Sequence, residues 1–210
     1  MSDSKRYHQE ERLNAISHGL GVILGIVGAF VLWNKQDSTN PWETWSILIY
    51  SGSIVLLFTA STLYHAVNDP RIKSRLRVLD HISIYFLIAG TYTPVALLTL
   101  AESKGVLLFI IVWGVTLAGT LFKIFYTGKL EYLSLVLYLV MGWLIVVDFP
   151  FLWEQLSAFG VTMLFLGGGF YSLGIVFYAV RKIPYNHFIW HLFVLGGAIS
   201  HWCLIFDILE

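Results

Sequence analysis

The stretch Leu121–Tyr138, LFKIFYTGKLEYLSLVLY, decides the fold. It is apolar on both sides of a short break, TGKLE. If the break is a turn between two helices, the chain crosses a membrane seven times. If one helix runs through it, the chain crosses six times and both termini share a side. A bilayer-spanning helix needs roughly 20 mostly apolar residues. Working outward from the break, spans fall at about 15–33, 44–66, 79–100, 105–126, 132–149, 158–180 and 185–207.

Charge chooses between the two counts. Cytoplasmic loops are enriched in Lys and Arg. With seven spans, one side receives Lys5, Arg6, Arg12, Arg71, Lys73, Arg75, Arg77, Lys123, Lys129, Arg181 and Lys182. The other side receives only Lys35 and Lys104, so all 13 basic residues are placed. Six spans would put Lys123 and Lys129 inside the membrane and move Arg181 and Lys182 across it. The expected fold is therefore all-α, a seven-transmembrane-helix bundle. Its N-terminus is cytoplasmic and its C-terminus extracytoplasmic. Residues 1–14 read as a short cytoplasmic tail and 15–210 as one transmembrane domain.

Composition agrees. The chain is 57% hydrophobic and 12% charged, and that charged share is too low to clothe a soluble domain of this size. The formal net charge is zero, which offers no pull toward nucleic acid. The single cysteine, Cys203, excludes an intrachain disulfide and a cysteine metal knuckle. The first apolar run lacks a small-residue cleavage site and reads as a retained span. Trp33, Trp42, Trp45 and Trp153 fall near expected outer span ends, where amphipathic rings favour the headgroup zone. Pro94 is expected to kink the third span. Gly167, Gly168, Gly169 and Gly174 in the sixth read as close helix packing, since GGGFYSLG lacks the context and lysine of a phosphate loop.

Ionisable groups within spans are costly and usually functional. Six of the seven histidines fall in or beside spans: His18, His65, His81, His187, His191 and His201. The topology brings Ser61, His65, Asp80, His187 and His191 to the cytoplasmic end. Ser61 and His65 are four residues apart, as are His187 and His191, so each pair shares a helix face. Paired histidines at this spacing can hold one metal, and a third from another helix gives the three-ligand form of a catalytic zinc site. Imidazole ligation favours zinc, with iron or nickel also compatible. Asp80 could accept a proton from water and Ser61 could hydrogen-bond water or substrate. His18 divides evenly between supporting such a site and an ordinary interhelical role. His201, ten residues beyond His191 and so roughly 15 Å deeper, reads as structural. His81 points to another face than Asp80. Asp148, Asp207 and Glu210 read as solvated carboxylates at outer span ends, and Glu131 as one at an inner edge.

Three segments resemble the hemolysin III family: Ser61 to His65, LDHISIYFLIAGTYTP from Leu79, and NHFIWHLFVLGGAISH from Asn186. That family lies in the wider group of progestin and adiponectin receptors and is similar to the alkaline ceramidases. The resemblance runs from NAISHG at Asn14 to the C-terminus. It implies seven helices and zinc held by His65, His187 and His191, with Asp80 and Ser61 at the family's aspartate and serine positions. The compact size resembles bacterial members, which implies the plasma (inner) membrane. The expected function is zinc-dependent hydrolysis of a lipid amide or ester at the cytoplasmic leaflet. The alternatives are a lipid or small-molecule sensor with structural zinc, or a channel or regulator of membrane energetics. A cytolysin, as the family name implies, finds no secretion signal here.

Overall fold

A computed structural model describes residues 3–180 and 182–209. Arg181, one of the basic residues counted above, and Glu210, expected as a solvated carboxylate, lie outside them. The described residues form helices and turns with no strand. Helix α1 spans Asp3–Lys35, α2 Pro41–Ala66, α3 Pro70–Pro94 and α4 Gly105–Tyr126. Then follow α5 (Glu131–Trp143), α6 (Phe149–Gln155), α7 (Ala158–Ala179) and α8 (Asn186–Ile208). Seven segments are long and apolar enough to cross a membrane, with α5 and α6 forming one of them, Glu131–Gln155. The chain is a multi-pass membrane protein, and its outer surface is apolar at Ile110, Leu117, Phe125 and many similar positions. Such a surface suits lipid, and a helix satisfies its own backbone there.

The TGKLE break is a tight turn. Gly128 has φ +83° and Leu130 φ +51°, so the backbone enters the left-handed region twice and cannot continue as helix. The flanking charges meet across it. Lys123 Nζ donates to Glu131 Oε2 at 2.9 Å, and Gly128 N to Glu131 Oε1 at 2.8 Å. Glu131 is therefore not a free edge carboxylate. It also accepts from Arg77 Nη2 at 3.4 Å, and His81 Nδ1 lies 3.5 Å from it. Lys123 is fully buried, so its ammonium depends on this carboxylate. Glu131→Gln is expected to destabilise the protein by the lower part of about 3–5 kcal/mol, because it strands a buried charge. Adding Lys123→Met should restore most of the loss, which thermal unfolding in detergent would read.

Other ends follow local chemistry. Asn40 and Asp69 cap α2 and α3, each followed by a proline at the first helical position. Ser157 caps α7 and donates to Asp207 on α8 at 2.7 Å, so Asp207 has a specific partner. Asp148 departs further from the solvated reading. It is buried and accepts from Ser103 Oγ and Lys104 N, both at 2.9 Å, which ties the fifth span to the turn before α4. Pro94 ends α3, and a π-helical turn at Val95–Thr99 carries the third span onward without the missing N–H. The fifth span extends past the expected 149. A 3₁₀ segment, Leu144–Asp148, joins α5 to α6, so FPFLWEQ is helix rather than loop.

The spans pack as a ring in chain order. Broad contacts join α1 to α2, α2 to α3, α3 to α4, α7 to α8 and α8 back to α1. The fifth span touches α3, α4 and α7 only thinly. Two of the four glycines bring α7 and α8 together as expected: a Cβ at Gly174 would lie 2.8 Å from the Trp190 ring, and one at Gly167 would overlap His201, whereas Gly168 faces Trp143 of α5 and a Cβ at Gly169 would meet nothing within 4 Å. Inside the ring lies a cavity of about 550 Å³, lined at one end by α1 and α2 and along its length by α3, α5, α7 and α8.

Candidate metal centre

Helix α2 ends at Ala66 and α8 begins at Asn186, at the same end of the bundle. This brings His65 to His187 and His191. Their rings lie 4.8–5.1 Å apart between centroids. One ligand atom from each lies within 4.8 Å of the others, close enough to hold a single metal ion. His65 and His191 are buried and His187 is half-buried. The four-residue spacing on α8 aligns its pair, and the close packing of α1 against both α2 and α8 fixes the third ligand opposite.

His65 shows which nitrogen is available. Its Nδ1 lies 3.0 Å from Glu11 Oε1, and Lys73 Nζ is paired with the other Glu11 oxygen. A carboxylate only accepts, so this network assigns the imidazole proton to Nδ1. Nε2 is then a lone pair, buried and without a partner. An unpaired buried acceptor is costly, and a cation would satisfy it. Lys73 Nζ also donates to Tyr64 O at 3.0 Å and Val67 O at 3.3 Å, at the carbonyl end of α2.

The remaining expected residues join the same space. Ser61 is buried and lies beside the Asp80 carboxylate. Ser61, His65, Asp80, His187 and His191 all line the cavity. His18 stacks on His191, with centroids 3.6 Å apart and planes 15° from parallel. It therefore restrains the ring of a candidate ligand, and Ser17 Oγ sits 3.5 Å from His191 Nδ1. His81 turns away toward Lys123 and Glu131, as its position after Asp80 implied. His201 lies deeper in the cavity, with Nε2 3.4 Å from Leu164 O.

Sequence reasoning missed Glu10 and Glu11, placing both in a tail. Helix α1 in fact begins at Asp3 and carries them onto the site. Glu10 Oε1 accepts from the His187 backbone N at 3.1 Å. The signal was present: Glu11 and His18 are seven apart, and Glu10, Asn14 and His18 follow at intervals of four, one polar helical stripe.

Comparison with known proteins agrees with this architecture. The chain matches the family described as "Haemolysin-III related" over residues 6–202. It is 44% identical to "Hemolysin-3 homolog" of Bacillus subtilis, covering 94% of each chain. It is 39% identical to "Hemolysin-3" of Bacillus cereus, over 100% of this chain and 96% of the relative. Human "Monocyte to macrophage differentiation factor" is 31% identical, over 95% of this chain and 84% of the relative. By family match and by full-length similarity, the chain belongs to the haemolysin III-related family of multi-pass membrane proteins.

Proposed function

We propose that this protein is a zinc-dependent hydrolase of a lipid amide or ester, working at the cytoplasmic face of a bacterial plasma membrane. The observation that carries the reading is the cluster of three imidazoles, one with an unpartnered buried nitrogen, opening on a cavity that also holds Asp80 and Ser61. His65, His187 and His191 would hold the metal. Their ligand atoms, within 4.8 Å of one another, need to contract to the edge of roughly 3.3 Å that follows from Zn–N bonds of about 2.0–2.1 Å, a change within reach of side-chain torsions. Bound zinc supplies Lewis acidity to a carbonyl and lowers the pKa of water to about 7.

The chain's own residues do the rest. Glu11 holds His65 in the tautomer that frees Nε2, and Lys73 keeps Glu11 ionised and in place. The Asp80 carboxylate accepts the proton of the attacking water and returns it to the leaving amine or alcohol. Ser61 fixes the orientation of Asp80. The excess of basic residues at this end supports a cytoplasmic orientation, which brings the site to the depth of a lipid's headgroup linkage.

Glu11→Gln should weaken metal affinity about 10–100-fold without removing a ligand, as read by competition with a calibrated chelator. The direct test offers the purified zinc-loaded protein lipid amides and esters and follows product by mass spectrometry. Turnover that vanishes in Asp80→Asn and in His187→Ala supports the hydrolase. A protein that holds metal yet releases no product from any of them is instead a sensor with a structural metal.

A further inference from the structure

The cavity changes character with depth. Its head is polar at the histidines, Ser61 and Asp80. Its shaft is lined by Ile84, Leu87 and Ile88 of α3, Leu135 and Leu139 of α5, and Val194 of α8. A polar head over an apolar shaft suits an amphiphile with a linear apolar chain. The shaft ends near Thr91, Tyr92, Gly142, Trp143, Gly168 and His201. The same six residues line a second, smaller cavity of about 50 Å³, which continues among Val95, Ile145, Phe149 and Leu204. The two spaces share one wall.

Trp143 is the bulky, fixed part of that wall. Its Nε1 donates to Ser172 Oγ at 3.0 Å, and Ser172 Oγ donates to Gly168 O at 2.7 Å. The indole lies over Gly168, where an added Cβ would sit 3.4 Å from Cζ2, so the ring packs directly against the α7 backbone. The backbone is held as well. The α5 helix gives way to its 3₁₀ segment at this point, and Tyr92 clasps the change. Tyr92 OH donates to Gly142 O at 3.1 Å and accepts from Ile145 N at 2.8 Å. An indole with a bonded N–H and a clamped backbone is a stop, not a loose side chain.

We propose that Trp143 sets the length of apolar chain this protein accepts. The ligand is a single-chain amphiphile whose polar linkage lies at the histidines, a placement that rests on the hydrolase reading above. The chain fills the shaft and ends against the indole. Without the indole, the shaft and the smaller cavity become one space.

The test is a binding measurement and needs no turnover. Saturated fatty acids of about ten to twenty carbons would compete with a fluorescent polyene fatty acid on the purified full chain in nanodiscs. Each buried methylene should tighten binding about fourfold. In the wild type this gain should stop at one chain length. In Trp143→Ala the stop should move to chains at least two carbons longer, and in Trp143→Phe it should stay within one carbon of the wild type. Unchanged affinity for the shortest chains, which never reach the indole, reports that Trp143→Ala is folded. An identical length profile in wild type and Trp143→Ala, or no displacement by any chain, overturns the proposal. The length stop present in a zinc-loaded protein that hydrolyses no lipid amide or ester would sink the hydrolase reading alone.

Discussion

Asp80→Asn is expected to lower turnover by about 10²–10⁴-fold while the metal stays bound. The substitution keeps shape and keeps an oxygen toward neighbouring Ser61. What it removes is the basic carboxylate. In the proposed reaction Asp80 touches the reacting water and no imidazole ligand is lost, so the effect should fall on turnover. Substrate affinity should change little, because the proposed apolar chain would lie along the shaft, away from Asp80. Steady-state kinetics and metal content on one preparation separate the two effects. A loss of metal together with turnover would show that Asp80 supports the ligand set instead.

Replacement of a histidine ligand should act on stability as well as chemistry. His65 belongs to α2 and His187 to α8, which meet through α1 rather than by broad contact of their own. A metal shared between them is a cross-link at the basic end of the bundle. Anything bound to the folded state alone stabilises it, by about 4 kcal/mol when present at a thousandfold its dissociation constant. Chelation of the wild type should therefore lower its unfolding temperature. The His187→Ala protein should unfold near that lower temperature from the outset and gain nothing from added zinc. Equal zinc-induced stabilisation of wild type and His187→Ala would contradict the assignment.

The sequence carried the topology because its signals are one-dimensional. Span length, loop charge and the break at TGKLE are local, and Gly128 with φ +83° is the turn that the break implied. The candidate site followed from topology plus helical spacing, which put the histidine pair of α8 on one face and near His65. The rest needed three dimensions. Glu11 looked like part of a polar tail because hydropathy marks where lipid begins, not where a helix begins. Glu131 and Asp148 looked solvated because position at a span end does not reveal a partner. Glu131 has Lys123, and Asp148 has Ser103 and the Lys104 backbone. Trp143 was invisible as a wall because a tryptophan in an apolar span has no distinguishing neighbours in sequence. Only the fold places it on the lining of both spaces.

The central claim is that His65, His187 and His191 jointly hold one metal ion. Elemental analysis of the purified protein, with the three single alanine variants prepared in parallel, tests it most directly. About one zinc per wild-type chain and little or none in each variant is expected, with every protein still folded by circular dichroism. Metal retained in all three variants, or none in a folded wild type purified without chelator and supplied with zinc, would contradict it.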